Sequence, residues 1–153
     1  YSQALAVSEP LSQSILLLSD IMRYALEETD AAGKVPLSKE ITHLRNFIEM
    51  HRLRFRHKLH VDFRIQPEHV DTTTIKVLPF VLISLVENAF KHGLFTKAAD
   101  ALVIRLTVDE NSIFFQVKNR IDHNPVKYPT PGVGLGNVRR MLALAYPDRH
   151  TLD

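Results

Sequence analysis

The stretch LPFVLISLVENAFKHG, Leu78 to Gly93, begins as a nearly unbroken apolar run and closes on Glu87, Asn88, Lys91 and His92. It reads as one buried helix over 78–92, apolar almost all round, with Gly93 placed as its C-terminal cap. At about 100° per residue, Ser84, Glu87, Asn88, Lys91 and His92 fall within a little under half of the helix circumference. Glu87 sits one turn below Lys91, and Asn88 one turn below His92. A carboxylate, an amide, an ammonium and an imidazole thus share one stripe. Taken alone, that stripe is an exposed helix edge with an ordinary Glu–Lys pair, contributing about 0.2–0.5 kcal/mol.

Working outward, the hydrophobic period on either side of this helix changes to two. In LHVDFRI (59–65), Leu59, Val61, Phe63 and Ile65 point one way and His60, Asp62 and Arg64 the other. LVIRLTV (102–108) and IFFQVKN (113–119) repeat the alternation, joined by the turn residues DENS. Strands with one polar face are wet on that side, so helices cover only the other. The helix at 78–92 is the natural cover, and the pattern predicts an α+β fold, a two-layer α/β sandwich.

Upstream, Leu11, Ile15, Leu18, Met22 and Ala25 form one helical stripe within 9–29, with Ser8 as N-cap and Pro10 in the first turn. DAAGKVP (30–36) breaks it. A second helix follows at 37–55, with Leu37, Ile41, Leu44, Ile48 and Phe55 on one face. Two amphipathic helices in succession can pack on each other or on a partner chain.

The bulk numbers exclude several classes. The 153 residues are 45% hydrophobic and 24% charged, the balance of a globular protein large enough to bury a core. A net charge of +2 without a basic block argues against nucleic-acid binding, and the basic HRLRFRHK (51–58) reads as a solvated helix end. Phe63 shares its strand face with Leu59, Val61 and Ile65, so it belongs to the core rather than to a base-stacking surface. Without cysteine, disulfides and thiolate metal sites are excluded. The longest apolar run, Val77 to Val86, falls short of the about 20 residues that span a bilayer. His43 and His51, and His57 and His60, form no His-x-x-x-His set and read as surface histidines. No nucleophile elbow is present. A start at Tyr1 rather than Met points to a fragment of a longer chain, any membrane anchor lying outside it.

After Asn119 comes RIDHNPVKYPTP, with three prolines and no periodicity, the signature of a lid or binding loop. It ends in GVGLG (132–136), which runs into NVRRMLALAY. Leu135, Val138, Met141, Leu142 and Ala145 predict a last helix that Pro147 ends. Gly132, Gly134 and Gly136 let the backbone approach an anion at the helix start. No Gly-Lys-Ser/Thr follows, so this is not a P-loop, and the third glycine is misplaced for a dinucleotide fingerprint.

The order of these parts is more specific than any one of them. ENAFKHG resembles the N box of a histidine kinase, and GVGLGNVRRML its second glycine box. Together they resemble the ATP-binding (GHKL or Bergerat) domain shared by gyrase, a heat-shock chaperone class, histidine kinases and MutL. LSDIMRYAL (18–26), VPLSKEITHLRNFIEMHRLRF (35–55) and LPFVLISLVENAFKHG (78–93) narrow the likeness to LytS-type sensor histidine kinases, the YehU-like group. The similarity runs from about Leu11 to Tyr146.

The resemblance implies a helical segment over 1–56, following the family's phosphoacceptor motif, and an ATP-binding catalytic domain over 57–153. It implies Mg²⁺ and ATP as cofactors. Asn88 would ligate Mg²⁺, a hard cation suited to an amide oxygen beside phosphates. Glu87 would orient or activate the group that attacks the γ-phosphate, and Lys91 and His92 would approach the phosphates or ribose. Gly132, Gly134 and Gly136 would let the lid close, with Leu135 and Asn137 at the helix start.

The chain departs from the family pattern in three places. VKNRIDHNP stands where the family reads adenine through Asp-x-Gly-x-Gly; Asn119 is the best positional match and Asp122 a lesser one. No His-Phe-Leu-Phe-Asn phosphoacceptor motif occurs, and the family's final strands would fall beyond Asp153. The implied partners are ATP, a second copy of the parent kinase and a response-regulator receiver domain, on the cytoplasmic side of a bacterial membrane. Two rivals stand beside the kinase fragment: a degenerate module of the same fold used for dimerisation or protein contact without nucleotide turnover, and an ATPase or chaperone-like relative.

Overall fold

A computed structural model describes residues 9–26, 28–55, 58–94, 97, 100–121 and 133–153. The chain divides into two units, one comprising the residues up to Leu59 together with Asp71–Val77, the other His60–Val70 together with Leu78–Asp153. Mixed helices and small sheets make the fold α+β.

In the first unit, helices α1 (Glu9–Ala25) and α2 (Leu37–Arg54) pack on each other. The turn between them is held by Asp30, whose Oδ1 accepts from the backbone N–H of Ala32 at 2.9 Å and of Lys34 at 2.8 Å. Gly33 sits at φ 70°, where a side chain would be strained. Strand β1 (Val35–Pro36) then pairs antiparallel with β3 (Lys76–Val77), placing Val35 opposite Val77. This ribbon also starts α2. Pro36 has no side chain that can cap the helix, and the first orphan N–H groups find backbone carbonyls instead. Leu37 donates to the carbonyl of Ile75 at 2.8 Å, and Ser38 to that of Thr72 at 3.0 Å.

The predicted stripe of α2 is the core of this unit: Leu37, Ile41, Leu44 and Ile48 are all buried. The predicted stripe of α1 is not. Leu11, Leu18 and Met22 are 48%, 52% and 58% exposed, so α1 turns a different face to α2. That face brings polar groups inside. Ser12, Glu40 and His43 are buried, and the Tyr24 ring stacks on His43 with centroids 4.2 Å apart. His43 is therefore a core residue rather than the surface histidine its spacing suggested.

The second unit is built on a three-stranded sheet in the order β2 (Val61–Gln66), β5 (Leu102–Val108), β6 (Ile113–Lys118). β2 runs parallel to β5, and β6 antiparallel to it through a tight hairpin closed by Asp109 N–H to Ser112 carbonyl at 2.9 Å. Register puts Val61, Phe63 and Ile65 beside Leu102, Ile104 and Leu106, and Val117 and Phe115 on their other side. The alternation read from sequence thus becomes one continuous apolar face, with Leu102, Ile104, Leu106 and Val108 buried at its centre. On the opposite face Asp62 meets Arg105 at 2.5 Å and Arg64 at 3.0 Å.

A parallel β2–β5 pair needs a crossover, which includes α3 (Val81–His92). Phe80 enters it in the left-handed region, φ 65°, and its carbonyl accepts from the Ser84 hydroxyl at 2.7 Å. Val81, Leu82, Val86 and Ala89 are buried. α3 packs against β6 and against α4 (Val133–Ala145), where Val138 is buried. Between α3 and α4 along the chain, β4 (Gly93–Leu94) pairs antiparallel with β7 (Arg120–Ile121).

Candidate functional site

The last two turns of α3 carry the polar stripe. Lys91 Nζ lies 3.1 Å from Glu87 Oε1, with the two side chains 39% and 49% exposed. Asn88 is half-buried between that pair and the core residue Ala89, while His92 is exposed. The helix ends in apolar packing below and polar groups above because Val86 and Ala89 face inward and the stripe falls on the opposite arc. An exposed pair of this kind holds weakly, about 0–1 kcal/mol, so either partner can exchange it for another charge at little cost.

Gly93 is the C-cap residue of α3, as its place in the sequence predicts. Its backbone is extended, φ −99° and ψ 152°, and the chain leaves the helix directly into β4. Pairing with β7 accounts for that extended conformation: Gly93 lies opposite Ile121 and Leu94 opposite Arg120. Asn119 directly precedes this paired segment.

The Asn119 amide nitrogen donates to the carbonyl of Arg120 at 3.1 Å. The Arg120 guanidinium meets the Asp100 carboxylate at 2.9 Å. Asp100 raises the pKa of Arg120 through that hydrogen bond and its charge.

The glycine-rich segment falls at the start of α4. The helix begins at Val133, so Gly134, Leu135, Gly136 and Asn137 occupy its opening turns. Gly134 and Leu135 are half-buried, and Gly136 and Asn137 exposed. A Cβ built on Gly134 or Gly136 would meet nothing within 4 Å, and neither has positive φ. The fold itself places no demand for glycine at either position. Gly132 and Asp122, with the predicted lid, lie outside the described residues.

These groups suit a phosphate ligand with a hard cation. No three His, Asp or Glu side chains gather as metal ligands among the described residues. The donor available is the Asn88 amide oxygen, which fits Mg²⁺ held by few protein ligands and completed by phosphate oxygens and water. Open space at Gly134 and Gly136, at a helix N-terminus, fits close approach of an anion.

Sequence reasoning missed Asp100 and Arg120. The two are 20 residues apart, in loop and short-strand context, and no periodicity marks either of them. It also missed the burial of Glu40 and His43, since a hydrophobic period counts only apolar side chains and both of these are polar.

No helix among the described residues is long and apolar enough to cross a membrane. Residues 2–59 match the family model described as histidine kinase. The sensor protein LytS of Bacillus subtilis strain 168 is 34% identical over 85 residues, covering 54% of this chain and 14% of that protein. LytS of Oceanobacillus iheyensis is 29% identical over 107 residues, 69% of this chain and 18% of its own. The sensor protein kinase HptS of Staphylococcus aureus strain USA300 is 28% identical over 112 residues, 71% of this chain and 20% of its own. The chain thus spans a fifth or less of the length of these relatives. By this family match and these relatives, the chain is similar to LytS-type sensor histidine kinases.

Proposed function

We propose that this chain is the catalytic ATP-binding portion of a two-component sensor histidine kinase, with the Bergerat type of α/β sandwich in its second unit. It would bind Mg-ATP for transfer of the γ-phosphoryl group to a histidine of the parent protein, and from there to a response-regulator aspartate. The parent would act as a homodimer, with this portion on the cytoplasmic side. The observation that carries the reading is the end of α3: Glu87, Asn88, Lys91 and His92 occupy its last two turns on one exposed arc.

Each residue has a role its chemistry allows. Asn88 offers a neutral oxygen for the cation, so it adds no repulsion against phosphate. Lys91 can leave its weak pair with Glu87 and turn its ammonium to a phosphate oxygen. Glu87, released from Lys91, is then a carboxylate able to accept a proton from, or orient, the attacking imidazole. His92 supplies a further donor at the ribose or phosphates. Gly134 and Gly136 admit the phosphates to the α4 N-terminus, where backbone N–H groups stabilise negative charge. Bound Mg²⁺ supplies charge neutralisation between the phosphates; positioning falls to the protein.

Calorimetric titration with ATP, with and without Mg²⁺, tests this. Mg-dependent binding that disappears in Asn88→Ala supports it. Absence of any nucleotide binding, or binding indifferent to both Mg²⁺ and Asn88, sinks it.

A further inference from the structure

We propose that the open face of the three-stranded sheet is a docking surface for an acidic segment of a protein partner, with Arg64 gripping a carboxylate and Phe114 seating an apolar side chain. The proposal is independent of the nucleotide reading, since none of its residues belongs to the α3 stripe or to α4.

Register fixes which side chains share this face. Arg64 lies opposite Arg105 across the sheet, and Arg105 opposite Gln116. Two residues along, Val103 lies between Asp62 and Lys118; two residues the other way, Thr107 lies between Gln66 and Phe114. The cations Arg64, Arg105 and Lys118 thus share a face on which Asp62 is the one carboxylate of the three strands. The acids of the hairpin turn, Asp109 and Glu110, fall beyond Phe114, at the end away from Lys118.

The two arginines are held differently. Arg105 is 27% exposed and donates to the Asp62 carboxylate at 2.5 Å and to the backbone carbonyls of Asp62 and Ile104, both at 3.0 Å. Those bonds hold the Asp62 carboxyl below its ordinary range, so it stands as a fixed anion. Arg64 is 66% exposed and attached through Nε alone, 3.0 Å from the other Asp62 oxygen. Its terminal nitrogens have no partner among the described residues. Like charges at paired strand positions repel, and the single Asp62 already serves Arg105, so an incoming anion relieves that repulsion. A guanidinium pinned at Nε offers the fork that matches a carboxylate bidentately.

Phe114 makes the partner a protein. Its ring is 58% exposed on the same face, and aromatic residues beside Arg are the enriched composition of protein interfaces. Three cations against one carboxylate are too few for a nucleic-acid duplex or an anionic bilayer, which select longer basic clusters. From Arg64 to Phe114 is two strand spacings of about 4.8 Å across and two residues of about 3.3 Å along, roughly 12 Å in all. An extended segment covers that in about four residues, and positions four apart on it share one face. The partner segment therefore carries a carboxylate and an apolar side chain about four positions apart.

The test titrates the whole ¹⁵N-labelled chain with a capped peptide in which Leu stands four positions before a Glu pair, the rest being Ser and Thr. The same peptide with Gln for Glu is the control. The Glu peptide should shift the amide resonances of Arg64, Phe114 and Gln116. Its binding should weaken about three- to tenfold in Arg64→Ala, in Phe114→Ala and with the Gln peptide, the worth of one good contact. Arg64→Lys, which keeps the charge and loses the fork, should fall between. Both side chains are exposed, and unaltered resonances elsewhere verify that the variants are folded. No shift with the Glu peptide, equal binding of the Gln peptide, or full affinity in Arg64→Ala overturns the proposal. Tighter binding to phosphatidylglycerol vesicles or to a short DNA duplex than to the peptide overturns it as well. Mg-ATP titration of Arg64→Ala and Phe114→Ala should match the parent, so failure here and failure of the nucleotide reading are separate results.

Discussion

The hydroxyl of Tyr24 on α1 donates a hydrogen bond to the carboxylate of Glu40 on α2, where Glu40 is 1% exposed. A carboxylate removed from water to that degree must be supplied with donors by the protein. The bond is thus a polar tie between the two helices of the first unit, set beside the buried His43 and Ser12.

Removing that donor should be costly. Tyr24→Phe keeps the ring stacked on His43 but takes a donor from a buried carboxylate, an expected loss of about 1–3 kcal/mol. Glu40→Gln, which needs less solvation, should be milder. Urea denaturation of both variants measures the difference. A Tyr24→Phe chain within about 0.5 kcal/mol of the parent would show that the tie is not stabilising.

The neighbouring imidazole gives a pH signature. Burial holds the His43 pKa below its ordinary value of about 6.5. The unfolded chain therefore takes up a proton that the folded chain resists, and stability rises with pH across that window. The contribution is complete above about pH 6.5 and is lost as pH falls toward the folded value. His43→Phe retains an aromatic ring against Tyr24 and removes the titration. Stability curves compared from about pH 8 to 5 should diverge below about 6.5, the parent losing more. Parallel curves would contradict the assignment.

The glycines of α4 predict opposite effects on stability and binding. Helical backbone and open space at both positions mean that Gly134→Ala or Gly136→Ala should stabilise by about 0.5–1 kcal/mol each. If phosphates approach there, the same methyl groups should weaken ATP binding. Thermal melts and nucleotide titration of the same variants test both halves. Stabilised variants with unaltered affinity would remove these glycines from the site.

At the cation, Asn88→Asp is more informative than deletion. It should keep metal binding but add charge beside the phosphates, lowering ATP affinity while raising Mg²⁺ affinity of the nucleotide-free chain. Isothermal titration with Mg²⁺ alone and then with ATP separates the two. Equal losses in both would point to a folding defect instead.

Much of this architecture was legible from local pattern. The alternation at 102–108 and 113–119 anticipates β5 and β6 to within a residue, because which face of a strand is wet is written in every second side chain. The α2 stripe and the apolar length of α3 are visible for the same reason, at helical period. The ENAFKHG stripe followed from spacing alone, since residues three and four apart on a helix are neighbours wherever the helix sits.

Other features depend on which distant segments meet. Spacing gave α1 an apolar stripe, yet packing turned Ser12 inward and left Leu11, Leu18 and Met22 exposed. Glu40 entered the core because Tyr24, 16 residues earlier, could donate to it. Gly93 caps α3 in an extended rather than a turned conformation because Ile121 was there to pair with it. Periodicity encodes the orientation of a side chain about its own element, and so the sequence by itself determined the helices, the strands β2, β5 and β6, and the polar stripe of α3. Only the tertiary structure decided that β7 pairs with the β4 segment that follows that helix and that Asp100 meets Arg120, since those pairings are made between chain segments that no local repeat connects.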